Sequence, residues 1–204
     1  SVDADSDNNA TGTFTIGASG SLVDAGTGGV SITAADLDII SGGTIIMGAG
    51  QLFLQTSTTV TMGIGAATCG GTCGMTISGA EFQRITATDI QFLTTGGAEL
   101  FIDSLTGTNT ANSTGLVQFN STGDITVSGS TLTFNMAGNG FANGINIHAQ
   151  SGTLNLNTGV TVTTGGLVLR GQTGVSIASG LTFTAGDAMF LQRLTGSGNI
   201  TVAG

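Results

Sequence analysis

The two cysteines carry the most specific chemistry in the chain. Cys69 and Cys73 are its only cysteines, and their C-x-x-x-C spacing in the glycine-rich segment 63–74 predicts a disulfide. A metal site would need about four ligands, but the chain has a single histidine. A redox-active pair usually has C-x-x-C spacing near the start of a helix. A disulfide would imply an oxidising, extracellular setting.

Acidic residues near the amino terminus form a second candidate site. Asp3, Asp5 and Asp7 are spaced like the first ligands of a calcium loop. However, Gly12 comes too late for the turn glycine, and Phe14 stands where an EF-hand places its glutamate. The interpretation that we favour is a frayed or linking segment over residues 1–12.

His148 is the only histidine and ends the strand-like sequence INIH. Alternation places it outward, where it could act as a general base, but no activated serine or cysteine accompanies it. The polysaccharide-processing enzymes that share solenoid folds need clustered Asp, Lys or Arg, and this chain has no lysine and scattered carboxylates. We predict no catalytic residue, no metal and no cofactor.

Composition limits the partners of the chain. Three cations, Arg84, Arg170 and Arg193, stand against twelve carboxylates, and the net charge of -9 argues against nucleic acid. No apolar run approaches the roughly 20 residues that span a bilayer. The chain begins at Ser1 without a signal sequence, so we expect a processed product or a segment of a longer protein.

A repeating strand-and-turn pattern predicts the fold. Short sequences such as LNLNTG and VTVTTGG recur about every seven residues, and three of them make one coil of about 21 residues. Leu154 and Leu156 alternate with Asn155 and Asn157, so one side of each strand faces a core. A sandwich or barrel also alternates, but the short, near-constant spacing favours an all-β, single-stranded, right-handed parallel β-solenoid of roughly seven coils.

The predicted solenoid is continuous over residues 13–204. Three segments interrupt the repeat and are expected to project as corner loops: 63–74, 106–115 and 136–144. The 36 glycines and the absence of proline, tryptophan and tyrosine also suit a thin, stacked core.

Two surface patterns point to possible modification or binding. Sequons for N-glycosylation occur at Asn9, Asn112, Asn120 and Asn199, although they arise easily by chance in a chain of this composition. Six T-x-T pairs, which are typical of ice-binding solenoids when they form a regular array, are irregularly spaced, and only Thr161/Thr163 and Thr182/Thr184 lie 21 residues apart.

The segments GGVSITAADLDIISGGTI (28–45) and SGTLNLNTGVTVTTGG (151–166) resemble the repeats of filamentous-haemagglutinin-type surface proteins. The resemblance implies an adhesive fibre at a cell surface. Residues 1–12 and 196–204 lack a strong capping element, so end-to-end stacking is expected. We therefore predict a non-catalytic segment of an extracellular filament, stalk or cell-surface adhesin. The alternatives are a glycan-binding or ice-binding module and, third, a polysaccharide-processing enzyme.

Overall fold

Alternation of apolar and polar residues produces short parallel strands throughout the chain. The computed structural model describes residues 1–24, 26–135 and 143–193, together with the backbone of 200–202. In this part of the chain the elements are, in order, β1 (Val2–Asp3), β2 (Thr13–Ile16), β3 (Ser21–Asp24), β4 (Val30–Ala34), β5 (Asp36–Ile39), β6 (Thr44–Met47), β7 (Gln51–Thr56), β8 (Met62–Gly65), β9 (Met75–Ile77), α1 (Gly79–Phe82), β10 (Ile85–Thr86), β11 (Asp89–Thr94), β12 (Leu100–Asp103), β13 (Val117–Ser121), β14 (Ile125–Ser128), β15 (Leu132–Phe134), β16 (Gly144–Ala149), β17 (Thr153–Leu156), β18 (Val160–Val162), β19 (Gly166–Gly171), β20 (Gly174–Ile177), β21 (Phe183–Thr184), β22 (Met189–Arg193) and β23 (Ile200–Val202).

The strands stack into a β-solenoid of about seven turns, as the repeat predicts. Face 1 is one parallel sheet in the order β1-β4-β7-β11-β13-β16-β19-β22. Face 2 contains the pair β2-β5 and, beside β5, the sheet β9-β8-β12-β14-β17-β20-β23. Face 3 contains β3-β6-β10 and β15-β18-β21. Each strand therefore pairs with a strand of the next coil, and the paired strands run parallel.

Coil length is less regular than the predicted 21 residues. Along face 1, the offset between paired residues is 22 where Val30 pairs with Leu52, and it rises to 38 where Leu52 pairs with Ile90. The last two coils return to 22, as in the pairing of Leu167 with Met189. Extra residues at the corners and one inserted strand account for the longer coils, while the strands keep their register.

A column of apolar side chains fills the interior. Phe92 and Phe119, which are paired across β11 and β13, stack with ring centroids 5.2 Å apart, and Phe82 meets Phe92 edge-on at the same distance. Next to this column, the buried hydroxyls of Thr94 and Ser121 bond to each other and both donate to the Ala98 carbonyl. The interior is thus closely packed, and these polar groups are satisfied.

The third coil carries an insertion that the sequence pattern does not predict. Both β8 and β9 lie on face 2, where Met62 pairs with Met75 and the connecting loop 66–74 crosses outside the sheet. The chain thus visits face 2 first beside β12 and then beside β5. Segment 63–74 is therefore part strand and part loop.

A one-turn helix, α1, follows the insertion, although no helical period is evident in the sequence. Ser78 and Glu81 form a capping box in which each side chain accepts a backbone N–H of the other. Glu81 also accepts the Ile39 N–H at 3.0 Å, and the Arg84 guanidinium donates to the Ile39 carbonyl. These side chains replace a neighbouring strand at the end of β5.

Residues 1–12 do not fray but form the start of the first coil. Val2 and Asp3 pair with Ile32 and Thr33, and Asp5 is buried at 3% exposure. The Asp5 carboxylate accepts the backbone N–H groups of Asn9 and Ala10, which closes a tight turn. The polar composition of this segment reflects the turn rather than disorder.

Segment 106–115 is also part of the wall and does not project from it. It fills face 3 between β10 and β15, where Ala87 bridges to Ser113 and the Asn135 N–H donates to the buried Thr110 hydroxyl. In the third predicted loop, 136–144, residues 136–142 lie outside the described residues.

Candidate functional site

The two ends of the solenoid expose the cross-section of its core. Met189 and Leu191 of β22 pair with Leu167 and Leu169, so they occupy core-facing positions of the last described face 1 strand. Met189 is 44% exposed and Leu191 is 36% exposed, whereas their partners in the preceding coil are 0% and 1% exposed. The core pattern therefore continues to this end without being covered there.

The opposite end has the same character. Val2, Phe14 and Leu22, one from each face of the first coil, pack on the core and remain partly exposed. Beyond β1 and β22, face 1 has no further strand in the described chain, so each of these strands has one free edge. Each end thus combines apolar side chains with open backbone hydrogen-bonding groups, which is the surface that a further coil needs.

Cys69 and Cys73 lie at disulfide distance, with Cα atoms 5.2 Å apart. The pair rests on the outer surface of face 2, above Gly63 of β8. A Cβ atom on Gly63 would lie 2.3 Å from the Cys73 sulfur, so only glycine fits beneath the bridge. The bridge closes loop 66–74 tightly against the inserted strand.

The aspartates near the amino terminus are occupied by internal hydrogen bonds. Asp3 accepts the Asp5 N–H, and Asp7 accepts the Asn9 side-chain amide. The Ser57 hydroxyl lowers the pKa of Asp5 below its ordinary value; burial opposes this, and the N–H groups of Ala10 and Asn9 reinforce it. Within the described ranges, no three His, Cys, Asp or Glu side chains are grouped to hold a metal ion.

The four sequons differ in accessibility. Asn9 is exposed, and Asn112 is exposed but donates its amide to the Gln83 carbonyl at 2.7 Å. Asn120 is 3% exposed, so a glycan on it does not fit the folded coil. Asn199 lies outside the described residues. Glycosylation at Asn9 and Asn112 stays a prediction.

The threonine pairs do not form a regular array. On face 3, Thr133, Thr161 and Thr184 line up across three coils. Thr161 thus lies beside Thr184 and not beside Thr182, which the 21-residue spacing had suggested. On the first coils Thr13 pairs with Asp36, so the alignment does not continue there.

Comparison with protein-family models, with curated proteins and with solved structures returned no match. Within the part of the chain that the structure describes, no helix is both long enough and apolar enough to cross a bilayer.

His148 lies on the outer side of face 1 between Asn120 and Arg170. Burial lowers the pKa of His148, and the adjacent Arg170 cation lowers it further. The sequence places His148 outward correctly, but it does not reveal this neighbour. Pairing His148 with Arg170 requires the register between two coils, which sequence spacing alone does not give.

This environment predicts a pH effect on stability. Because the pKa of His148 is lower in the folded than in the unfolded chain, the unfolded state binds the proton more readily. Stability should therefore fall as the pH drops below about 6.5, the unfolded value, and continue to fall through the folded pKa. Urea unfolding between pH 7.5 and 5 should show this loss, and His148→Gln should reduce it. An unchanged pH profile in the variant would contradict the assignment.

Proposed function

We propose that the chain is a non-catalytic structural segment of an extracellular filament, stalk or cell-surface adhesin that extends by end-to-end stacking of solenoid coils. The observation that carries the proposal is the uncovered core at both ends, above all the core-facing Met189 and Leu191. Adding a coil would bury these side chains and pair the free edge of β22.

The energetics favour stacking over a bare end. Burying one large aliphatic side chain contributes about 1.5 to 3 kcal/mol, and each end offers several. Association costs translational and rotational freedom, so a few side chains alone give weak binding. Backbone pairing along β22 and on the other faces adds directional contacts, which would align successive units along one axis.

Two further features support an extracellular setting and a structural role. The Cys69–Cys73 bridge is of a kind that persists in oxidising compartments. The proposed relation to filamentous-haemagglutinin-type repeats rests on the sequence resemblance alone.

A variant pair separates end stacking from general stickiness. We expect sedimentation velocity to detect assemblies of the unmodified chain that grow with concentration. Replacing the core-facing end residues, in Met189→Asp with Leu191→Asp, should leave dispersed single rods, because charges cannot be buried against a further coil.

The matched control is Ile46→Asp. Ile46 is 41% exposed but points outward from β6, so its replacement removes similar apolar surface without touching an end. This variant should assemble like the unmodified chain. A dispersed monomer of the unmodified chain at high concentration, or equal loss of assembly in both variants, would overturn the proposal.

A further inference from the structure

One outward patch on face 1 has unused hydrogen-bonding capacity. Asn146 Oδ1, His148 Nε2 and Arg170 Nε are shielded from solvent and have no hydrogen-bond partner. All three belong to β16 and β19, which are neighbouring strands in which His148 pairs with Arg170. Because buried polar atoms are nearly always satisfied, a group of them at one place points to a bound molecule.

The next strand completes the patch. Gln192 of β22 pairs with Arg170, and Phe190 lies one outward position away, with its ring centroid 5.9 Å from the Arg170 guanidinium carbon. Phe190 is 44% exposed although it points away from the core. The patch therefore places a cation, two side-chain amides, an imidazole and an open aromatic ring on three successive coils about 4.8 Å apart.

Charge makes the patch distinct from the remainder of the chain. Arg170 and, on the same strand as Gln192, Arg193 are two of only three cations in a chain of net charge -9. A guanidinium recognises a carboxylate through paired N–H donors. Two arginines are too few for a nucleic-acid backbone, which needs many phosphate contacts.

We propose that this patch binds a carboxylate-bearing saccharide such as a uronic acid unit. The Arg170 guanidinium pairs with the carboxylate, the amides of Asn146 and Gln192 bond to ring hydroxyls, and Phe190 packs on the apolar face of the sugar ring. His148 supplies a further polar contact between the two strands. This binding is independent of end stacking, since it uses only outward side chains.

The test compares one oligosaccharide with and without its charges. Isothermal titration with oligogalacturonate should give binding that weakens as salt is added. The fully methyl-esterified oligomer, which keeps the rings but lacks the carboxylates, should bind about 10-fold more weakly or not at all. Equal binding of the two oligomers, or no binding of oligogalacturonate, would overturn the proposal.

Variants locate the site. Arg170→Gln and, separately, Phe190→Ala should each weaken oligogalacturonate binding about 10-fold, while Gln91→Ala, an outward change three coils away on face 1, should leave it unchanged. Having two independent variants keeps the test valid if one of them folds poorly. Neither variant alters Met189 or Leu191, so assembly should persist in both. Unchanged binding in a folded Arg170→Gln chain would overturn the assignment even if assembly is confirmed.

Discussion

Replacing Phe92 by alanine is expected to lower the free energy of unfolding by about 3 to 5 kcal/mol, the usual cost of removing a buried phenylalanine. Phe92 is fully buried, stacks on Phe119 and receives the edge of Phe82. These three rings join coils three, four and five, so the cavity would open where the inserted strand and helix pack against the core. Urea or thermal unfolding followed by circular dichroism would measure the loss.

Phe53→Ala is the matched control for this change. Phe53 lies one coil earlier on face 1, points outward and is only half-buried. Its removal leaves no internal cavity and should cost about 1 kcal/mol or less. Similar losses in the two variants would contradict the inward and outward assignment of face 1.

The second large effect is expected for Glu81→Ala, with a loss of about 2 to 4 kcal/mol. The Glu81 carboxylate accepts the Ser78 N–H and hydroxyl, both at 2.8 Å, and the Ile39 N–H at 3.0 Å. Alanine would remove the cap of α1 and leave the Ile39 N–H without a partner. Equilibrium unfolding in urea would measure the change.

Two controls accompany this prediction. Glu81→Gln keeps an acceptor oxygen and should recover most of the stability. Glu99, the other glutamate of the chain, is exposed, so Glu99→Ala should change stability by less than about 0.5 kcal/mol. If Glu99→Ala were as damaging as Glu81→Ala, the proposed role of Glu81 at the end of β5 would be wrong.

The regular part of the fold follows from local sequence. Leu154, Leu156, Val160 and Val162 are all fully buried, as their period-two spacing predicts. Strand direction and coil stacking follow because short turns at near-constant spacing leave little alternative. The proximity of the cysteines is equally local, since four residues of glycine-rich chain bring the sulfurs together.

The remaining features depend on contacts between coils. Met62 and Met75 each begin an ordinary-looking strand, and nothing near them in sequence indicates that both lie on face 2. The S-x-x-E sequence at Ser78 is a helix-start signal, but one helical turn is too short to show a period. The patch around Arg170 depends on register across coils of unequal length, so spacing alone does not assemble it.

Open ends that accept further coils are the central claim, and electron microscopy of the purified chain tests it most directly. Seven coils at about 4.8 Å each give a rod about 30 to 35 Å long. The account predicts that, as concentration rises, these rods join into straight filaments with an axial repeat close to one rod, and that Met189→Asp with Leu191→Asp abolishes them. Single rods at every concentration, or filaments that persist in that variant, would contradict it.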